Sequence, residues 1–158
     1  MTLPHIGQLL GAVVRDMETA LQRSLSAAGH TDLRPAHFNV FRHLEPAGSR
    51  LTDLAERAGM TKQSIGELVR YLEEQGYVER LPDPGDGRAS IIRLTARGER
   101  SREAAFEAFR RLEATWGERV GTARVAELRE TLAAIVGPDT RSRAADVPGS
   151  PSGRAGAG

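Results

Sequence analysis

The chain has no cysteine, which excludes a disulfide framework, a thiolate metal site, a thiol nucleophile and a cysteine-based redox sensor. Aromatic residues are only 4% of the total, so a core must be built from Leu, Val, Ile and Ala, a composition that suits helices better than sheets. No apolar run approaches the roughly 20 residues needed to cross a bilayer, and the opening MTLPHIGQLL lacks a basic stretch followed by a long apolar one. A soluble, cytoplasmic protein is expected. Neither sign of charge dominates: 22 basic against 21 acidic residues leave a net of +1. A globally basic surface is thereby excluded, and any footprint for a polyanion has to be local. There is no glycine-rich phosphate loop, no metal-ligand pair and no nucleophile with a recognisable base, so no enzymatic activity, cofactor or metal is expected.

What is present is helical periodicity. With 158 residues, one domain can bury a core without staples. Ile6, Leu9, Leu10, Val13, Met17, Leu21 and Leu25 form one stripe of a long helix ending near Gly29. Pro35 opens a short second helix with Phe38, Phe41 and Leu44 on its buried face, stopping before Pro46 and Gly48. Thr52 is the expected N-cap of the next helix, with Leu54, Ala55 and Ala58 on one face. Gly59-Met60 makes a tight turn, and Thr61 caps another helix. In that helix Ile65, Leu68, Val69 and Leu72 fall at i, i+3, i+4 and i+7, so Gln63, Gly66, Glu67, Arg70 and Glu74 point outward.

Gly76 ends this helix, and two alternating segments then flank the loop Asp83-Pro84-Gly85-Asp86-Gly87-Arg88, which reads as a β-hairpin. A long helix follows from Thr95, with Ala105, Phe106, Phe109, Leu112 and Trp116. A last one carries Val125, Leu128, Leu132, Ile135 and Val136 and stops at Gly137-Pro138. The segment 138–158 has almost no apolar anchor and is expected to be disordered. The fold class is mainly α: a winged helix-turn-helix at 33–95, flanked by long N- and C-terminal helices at 5–29 and 96–137 within one domain, 1–137.

In a helix-turn-helix the second helix enters the DNA major groove and reads base edges from near its N-terminus. Thr61, Lys62, Gln63 and Ser64 stand there. A lysine can contact phosphate or guanine, a glutamine can pair with adenine, and hydroxyls at a helix N-terminus can hold phosphate oxygens. Arg70 lies farther along the exposed face, and Arg88 sits on the hairpin, within reach of a minor groove or a phosphate. The candidate DNA-contacting set is Thr61, Lys62, Gln63, Ser64, Glu67, Arg70 and Arg88. Two other readings stand beside this one. Thr61 and Ser64 can be mere caps, and Arg88 can instead pair with Asp83 or Asp86 to close the loop. From Thr61 to Arg100 seven basic and seven acidic residues cancel, so DNA binding requires charge to be segregated between faces. A winged helix that serves as a protein-interaction module without DNA binding is the alternative, favoured by Glu67, Glu73 and Glu74.

The run Leu51-Thr-Asp-Leu-Ala-Glu-Arg-Ala-Gly-Met-Thr-Lys-Gln-Ser-Ile-Gly-Glu-Leu-Val, with Leu72-Glu-Glu-Gln-Gly-Tyr-Val-Glu-Arg, Asp83-Pro-Gly-Asp-Gly-Arg and Leu94-Thr-Ala-Arg-Gly, resembles the MarR family of regulators. The resemblance implies flanking dimerisation helices and a homodimer on a pseudo-palindromic stretch of double-stranded DNA. It further implies a repressor that responds to a ligand, often a small aromatic or phenolic effector. The family's pocket position brings Arg15, His37, Phe38, Arg42 and Trp116 into consideration, without a motif among them. The family's peroxide sensing by cysteine is excluded here. His5, His30, His37 and His43 also lack the spacing that would place two metal ligands on one helix face.

Overall fold

A computed structural model describes residues 4–145, with side chains through 137. The chain divides into two compact units, one ending at Thr115 and the other beginning at Trp116.

Helix α1 spans Ile6–Ala27. His5 caps it: its Nδ1 accepts from the Gln8 amide, and the Gln8 side chain accepts from the His5 amide. Only Leu21 and Leu25 of its apolar stripe are buried; Ile6, Leu9, Leu10, Val13 and Val14 lie exposed. Pro35–His37 forms a single 3₁₀ turn that runs into α2, Phe38–His43. Phe41 and Leu44 are buried as the pattern requires.

A two-residue strand follows, β1, Ser49–Arg50, where a plain turn was expected. Helix α3, Leu51–Ala58, starts directly from it, with Arg50 in the capping position and no side-chain cap. Thr52 is therefore inside the first turn and does not cap the helix. Entry straight from a hydrogen-bonded strand fixes the chain direction that a cap would otherwise set. At Gly59 the backbone turns left-handed (φ 63°), a conformation costly for a residue with a Cβ. Helix α4, Lys62–Glu74, begins after Thr61, whose Oγ1 accepts from the Ser64 amide at 3.1 Å. The capping role read from the sequence is the observed one. Ile65, Val69 and Leu72 are fully buried.

Strands β2, Val78–Asp83, and β3, Asp86–Leu94, form the hairpin, and the antiparallel sheet has the order β1-β3-β2. Register pairs run regularly from Val78 with Leu94 to Pro82 with Ser90, then jump to Asp83 with Asp86. One step on β2 thus matches four on β3, and residues 87–89 bulge from the ladder. Pro82 lies on β2, an edge strand of the sheet, and Pro84 in the turn beyond it, places where a missing ladder donor is tolerated.

Helix α5 runs from Ala96 to Val120. In the first unit it buries Ala105 and Ala108, and Ser24 of α1 donates to the Ala104 carbonyl at 3.1 Å. Its first turn is pressed on the chain after α4: a Cβ on Gly98 would stand 2.1 Å from the Tyr77 carbonyl oxygen. Backbone cannot yield there as a flexible side chain would. Gly98→Ala is expected to destabilise the first unit by about 3 kcal/mol, the upper end for overpacking. A urea midpoint unchanged from the parent would contradict this close approach.

In the second unit α6 spans Thr122–Ala145, and its helical geometry is interrupted at Gly137 (φ 79°, ψ 175°). The break falls where the Gly-Pro pair places it, but helix resumes to Ala145, so the stretch expected to be disordered from 138 begins as helix. The rest of that expectation, 146–158, lies outside the described residues.

Candidate nucleic-acid interface

The N-terminal turn of α4 and the tip of the hairpin present the residues singled out in the sequence. Thr61, Lys62, Gln63, Ser64, Glu67, Arg70 and Arg88 are all exposed. Thr61 and Ser64 are tied to one another, their hydroxyls 2.8 Å apart, and Gln63 Nε2 donates to Glu67 Oε1 at 3.5 Å. Gln63, Glu67 and Arg70 are four and three residues apart, which puts them on one helix face.

Part of the charge that cancels in the counts is taken up in ion pairs. Arg80 pairs with Glu73 at 2.9 Å and Arg93 with Glu79 at 2.7 Å. Arg57 pairs with Glu45, and Arg50 with Asp83. Among the described residues the side chains of Lys62, Arg70 and Arg88 make no ion pair or hydrogen bond. The neutral total therefore hides paired charge along the sheet and the end of α4. Unpaired cations remain at the start and outer face of α4, beside Glu67, and on the hairpin tip, beside Asp86.

Of the two readings of Arg88, the structure has the unpaired one. Asp83 is almost buried and is engaged by Arg50, whose Nε donates to Oδ2 at 2.6 Å, and by the Gly85 amide, which donates to Oδ1 at 2.8 Å. Asp86 accepts only the main-chain amide of Arg88, at 3.0 Å. The hairpin is thus closed by Arg50, a residue the sequence pattern does not single out, and Arg88 is carried outward on the bulge.

The Gly85 amide, followed by the Arg50 guanidinium, outweighs partial burial and holds the Asp83 carboxyl below its ordinary pKa. A depressed carboxylate contributes above its unfolded-state value and loses the contribution as pH falls through the folded one. The closed tip is expected to persist at pH 5 and to open only below about 3.9, the usual aspartate value. An NMR titration of the Gly85 amide reads this directly, and a midpoint at or above that value would contradict it.

The residues considered for a pocket lie in different settings. His37 is buried, accepts the Arg34 amide on Nδ1 at 2.9 Å and stacks on Tyr71 with ring centroids 4.5 Å apart. Phe38 packs against the core beside Phe41. Arg15 and Arg42 are exposed, and Trp116 belongs to the second unit.

This arrangement has counterparts. A family model described as the MarR family matches residues 31–89. The transcriptional regulator HosA of Escherichia coli O111:H- is 35% identical over 76 residues, which are 48% of this chain and 56% of HosA. The chain thus matches little more than half the length of that relative. CouR from Rhodococcus jostii RHA1, crystallised with p-coumaroyl-CoA, is 30% identical, with a TM-score of 0.63 over 84% of this chain and 92% of that one. The reduced form of MarR from E. coli shares the fold, with a TM-score of 0.71 at 22% identity over 87% of this chain and all of that one.

Proposed function

Because this chain belongs to the MarR family of transcriptional regulators, we propose that it is a sequence-specific DNA-binding repressor that grips a pseudo-palindromic operator as a homodimer and responds to a ligand. The observation that carries the reading is the placement of its unpaired cations. Lys62, Arg70 and Arg88 flank the exposed Thr61, Gln63 and Ser64, while the neighbouring arginines are neutralised within the chain. Lys62 and Arg88 hold phosphates, the capped helix N-terminus adds main-chain donors, and Gln63 with Arg70 reads base edges. Glu67, on the same face, orients Gln63 and can accept from a cytosine amino group.

Two helix surfaces support the dimer. The first half of α1 exposes Ile6, Leu9, Leu10, Val13 and Val14, and in the second unit α6 exposes Leu128, Ile135 and Val136, with Ile6 and Ile135 each 73% accessible. Contiguous apolar surface of this kind on a helix is covered in the working state, and burial rewards it at about 25 cal/mol per Å². A second copy of the same chain is the partner, and two-fold symmetry then demands an inverted repeat. The effector is a small aromatic or phenolic molecule or its thioester, in keeping with the p-coumaroyl-CoA bound by the 30% identical CouR. The activity is one of binding rather than turnover. The site of action is the cytoplasm, consistent with the lack, among the described residues, of a helix long and apolar enough to cross a membrane.

Retention of sheared genomic DNA, beginning with the region upstream of the chain's own gene, tests the proposal with a Gln63→Ala/Arg70→Ala variant alongside. Sequence-selective retention lost in the variant is the expected result. A folded dimer that retains no fragment at any salt concentration would shift the reading to a protein-interaction module.

A further inference from the structure

Three segments distant in the chain meet in a polar cluster outside the DNA-facing surface. Asp32 comes from the loop after α1, Tyr77 from the junction of α4 and β2, and Arg97 from the first turn of α5. The Tyr77 hydroxyl donates to Asp32 Oδ1 at 2.5 Å and accepts from Arg97 Nη2 at 3.0 Å. Arg97 Nη2 also donates to Asp32 Oδ2 at 3.0 Å, and its guanidinium carbon lies 4.4 Å from the Tyr77 ring centroid. A hydroxyl has one proton, already given to Asp32, so His30 Nδ1, 3.0 Å from the same oxygen, is the donor of that contact.

Burial pushes the Asp32 carboxyl up, but the Tyr77 hydroxyl, its own amide and Arg97 outweigh it and hold the group below its ordinary value. Burial and the Asp32 hydrogen bond push Tyr77 up to about 12. The ionised acceptor and the protonated donor therefore persist together at neutral pH.

The end of α4 is fastened to this cluster on both sides. Arg97 Nη1 donates to the Gln75 carbonyl at 2.9 Å, and Thr95 Oγ1 to the Gly76 carbonyl at 2.6 Å. From the other side, the Tyr71 hydroxyl donates to the Asp32 carbonyl at 2.7 Å. Apolar packing is non-directional and permits sliding, whereas charge-assisted hydrogen bonds fix an angle. A partly buried ion pair adds little net stability, so geometry is the larger part of what this cluster supplies. Leverage makes that geometry matter. A helix of 13 residues is about 20 Å long, so a tilt of about 5° at its C-terminal end moves the exposed end by roughly 1.7 Å, enough to break a base contact.

We propose that Asp32, Tyr77 and Arg97 are positioning residues that set the angle of α4 relative to the loop after α1 and the first turn of α5 and, through that angle, the preference for operator over other DNA. The second half of this statement rests on the DNA-binding reading; the first does not. Arg97→Met, Arg97→Lys and Tyr77→Phe test both in the full chain, by amide hydrogen exchange without DNA and by affinity for operator and non-operator fragments.

In Arg97→Met, exchange is expected to quicken at residues 73–78 while Leu54 and Ile92 keep their protection. Operator affinity falls on the order of tenfold, non-operator affinity and the salt slope stay as they were, and Arg97→Lys, which keeps the charge but not the fork, recovers part of the loss. Exchange that is unchanged or uniformly faster, or a preference for operator equal to that of the parent, overturns the proposal. Should Arg97→Met not fold, Tyr77→Phe, which removes one oxygen, is judged by the same readings. A parent chain that ignores DNA removes the functional reading, and the exchange pattern alone then decides whether the cluster holds α4.

Discussion

Lys62→Ala combined with Arg88→Ala is expected to reduce affinity for operator and non-operator DNA by the same factor and to flatten the salt dependence by about 3.6 in log-log slope. Each phosphate contact contributes about 0.9 to that slope, and a two-fold dimer carries each substitution twice, so four contacts go. Near 0.1 M salt this corresponds to a loss on the order of a thousandfold, shrinking as salt rises. A chain acting as a monomer would lose about 1.8 in slope, so the same titration counts the copies on the DNA. Arg93→Ala is the control, because Arg93 is already paired with Glu79. It is expected to leave the slope where it was. A fall equal to that of the double variant would mean that the division into paired and unpaired arginines has no bearing on DNA.

Leu9→Glu with Val13→Glu is expected to yield a folded monomer. Both side chains are exposed in the single chain, and glutamate is a good helix former, so a chain that worked alone would tolerate the change within about 0.5 kcal/mol. In a two-fold interface the same change strands four carboxylates in an apolar surface, and a buried unpaired charge is not tolerated. Light scattering at micromolar concentration is expected to give one copy, with the far-UV spectrum kept. Operator affinity should fall at least a hundredfold, because half-sites no longer act together. Persistence of a dimer would place the interface elsewhere.

Elements with a strong period are legible in the amino-acid sequence alone. The four apolar positions from Ile65 to Leu72 locate α4 and its outer face, Thr61 supplies the cap, and the Pro-Gly punctuation from Asp83 to Arg88 locates the hairpin. The candidate contacts follow from that geometry, since a helix with its buried face fixed has its exposed face fixed as well. Strand β1 is not legible, because two residues, Ser49 and Arg50, cannot display alternation. With β1 hidden, Thr52 has the look of a cap, and nothing joins Arg50 to Asp83, which is 33 positions away.

Residue counts are least informative about charge. Seven bases and seven acids between Thr61 and Arg100 cancel on paper, yet Glu73 and Glu79 are taken up by Arg80 and Arg93, and Asp83 by Arg50. Such pairings are properties of the sheet register and of the end of α4, not of neighbouring positions in the chain. The Asp32-Tyr77-Arg97 cluster is hidden for the same reason. Each member is a lone polar or aromatic residue in its own segment, and only the folded chain brings the three together.

Whether the chain grips an operator as a dimer is decided by hydroxyl-radical footprinting of the parent chain on the fragment it retains from genomic DNA. Two protected segments on an inverted repeat are expected, centred one helical turn (about 34 Å) apart and bound by one dimer. A single protected segment, or protection that ignores sequence, would contradict it.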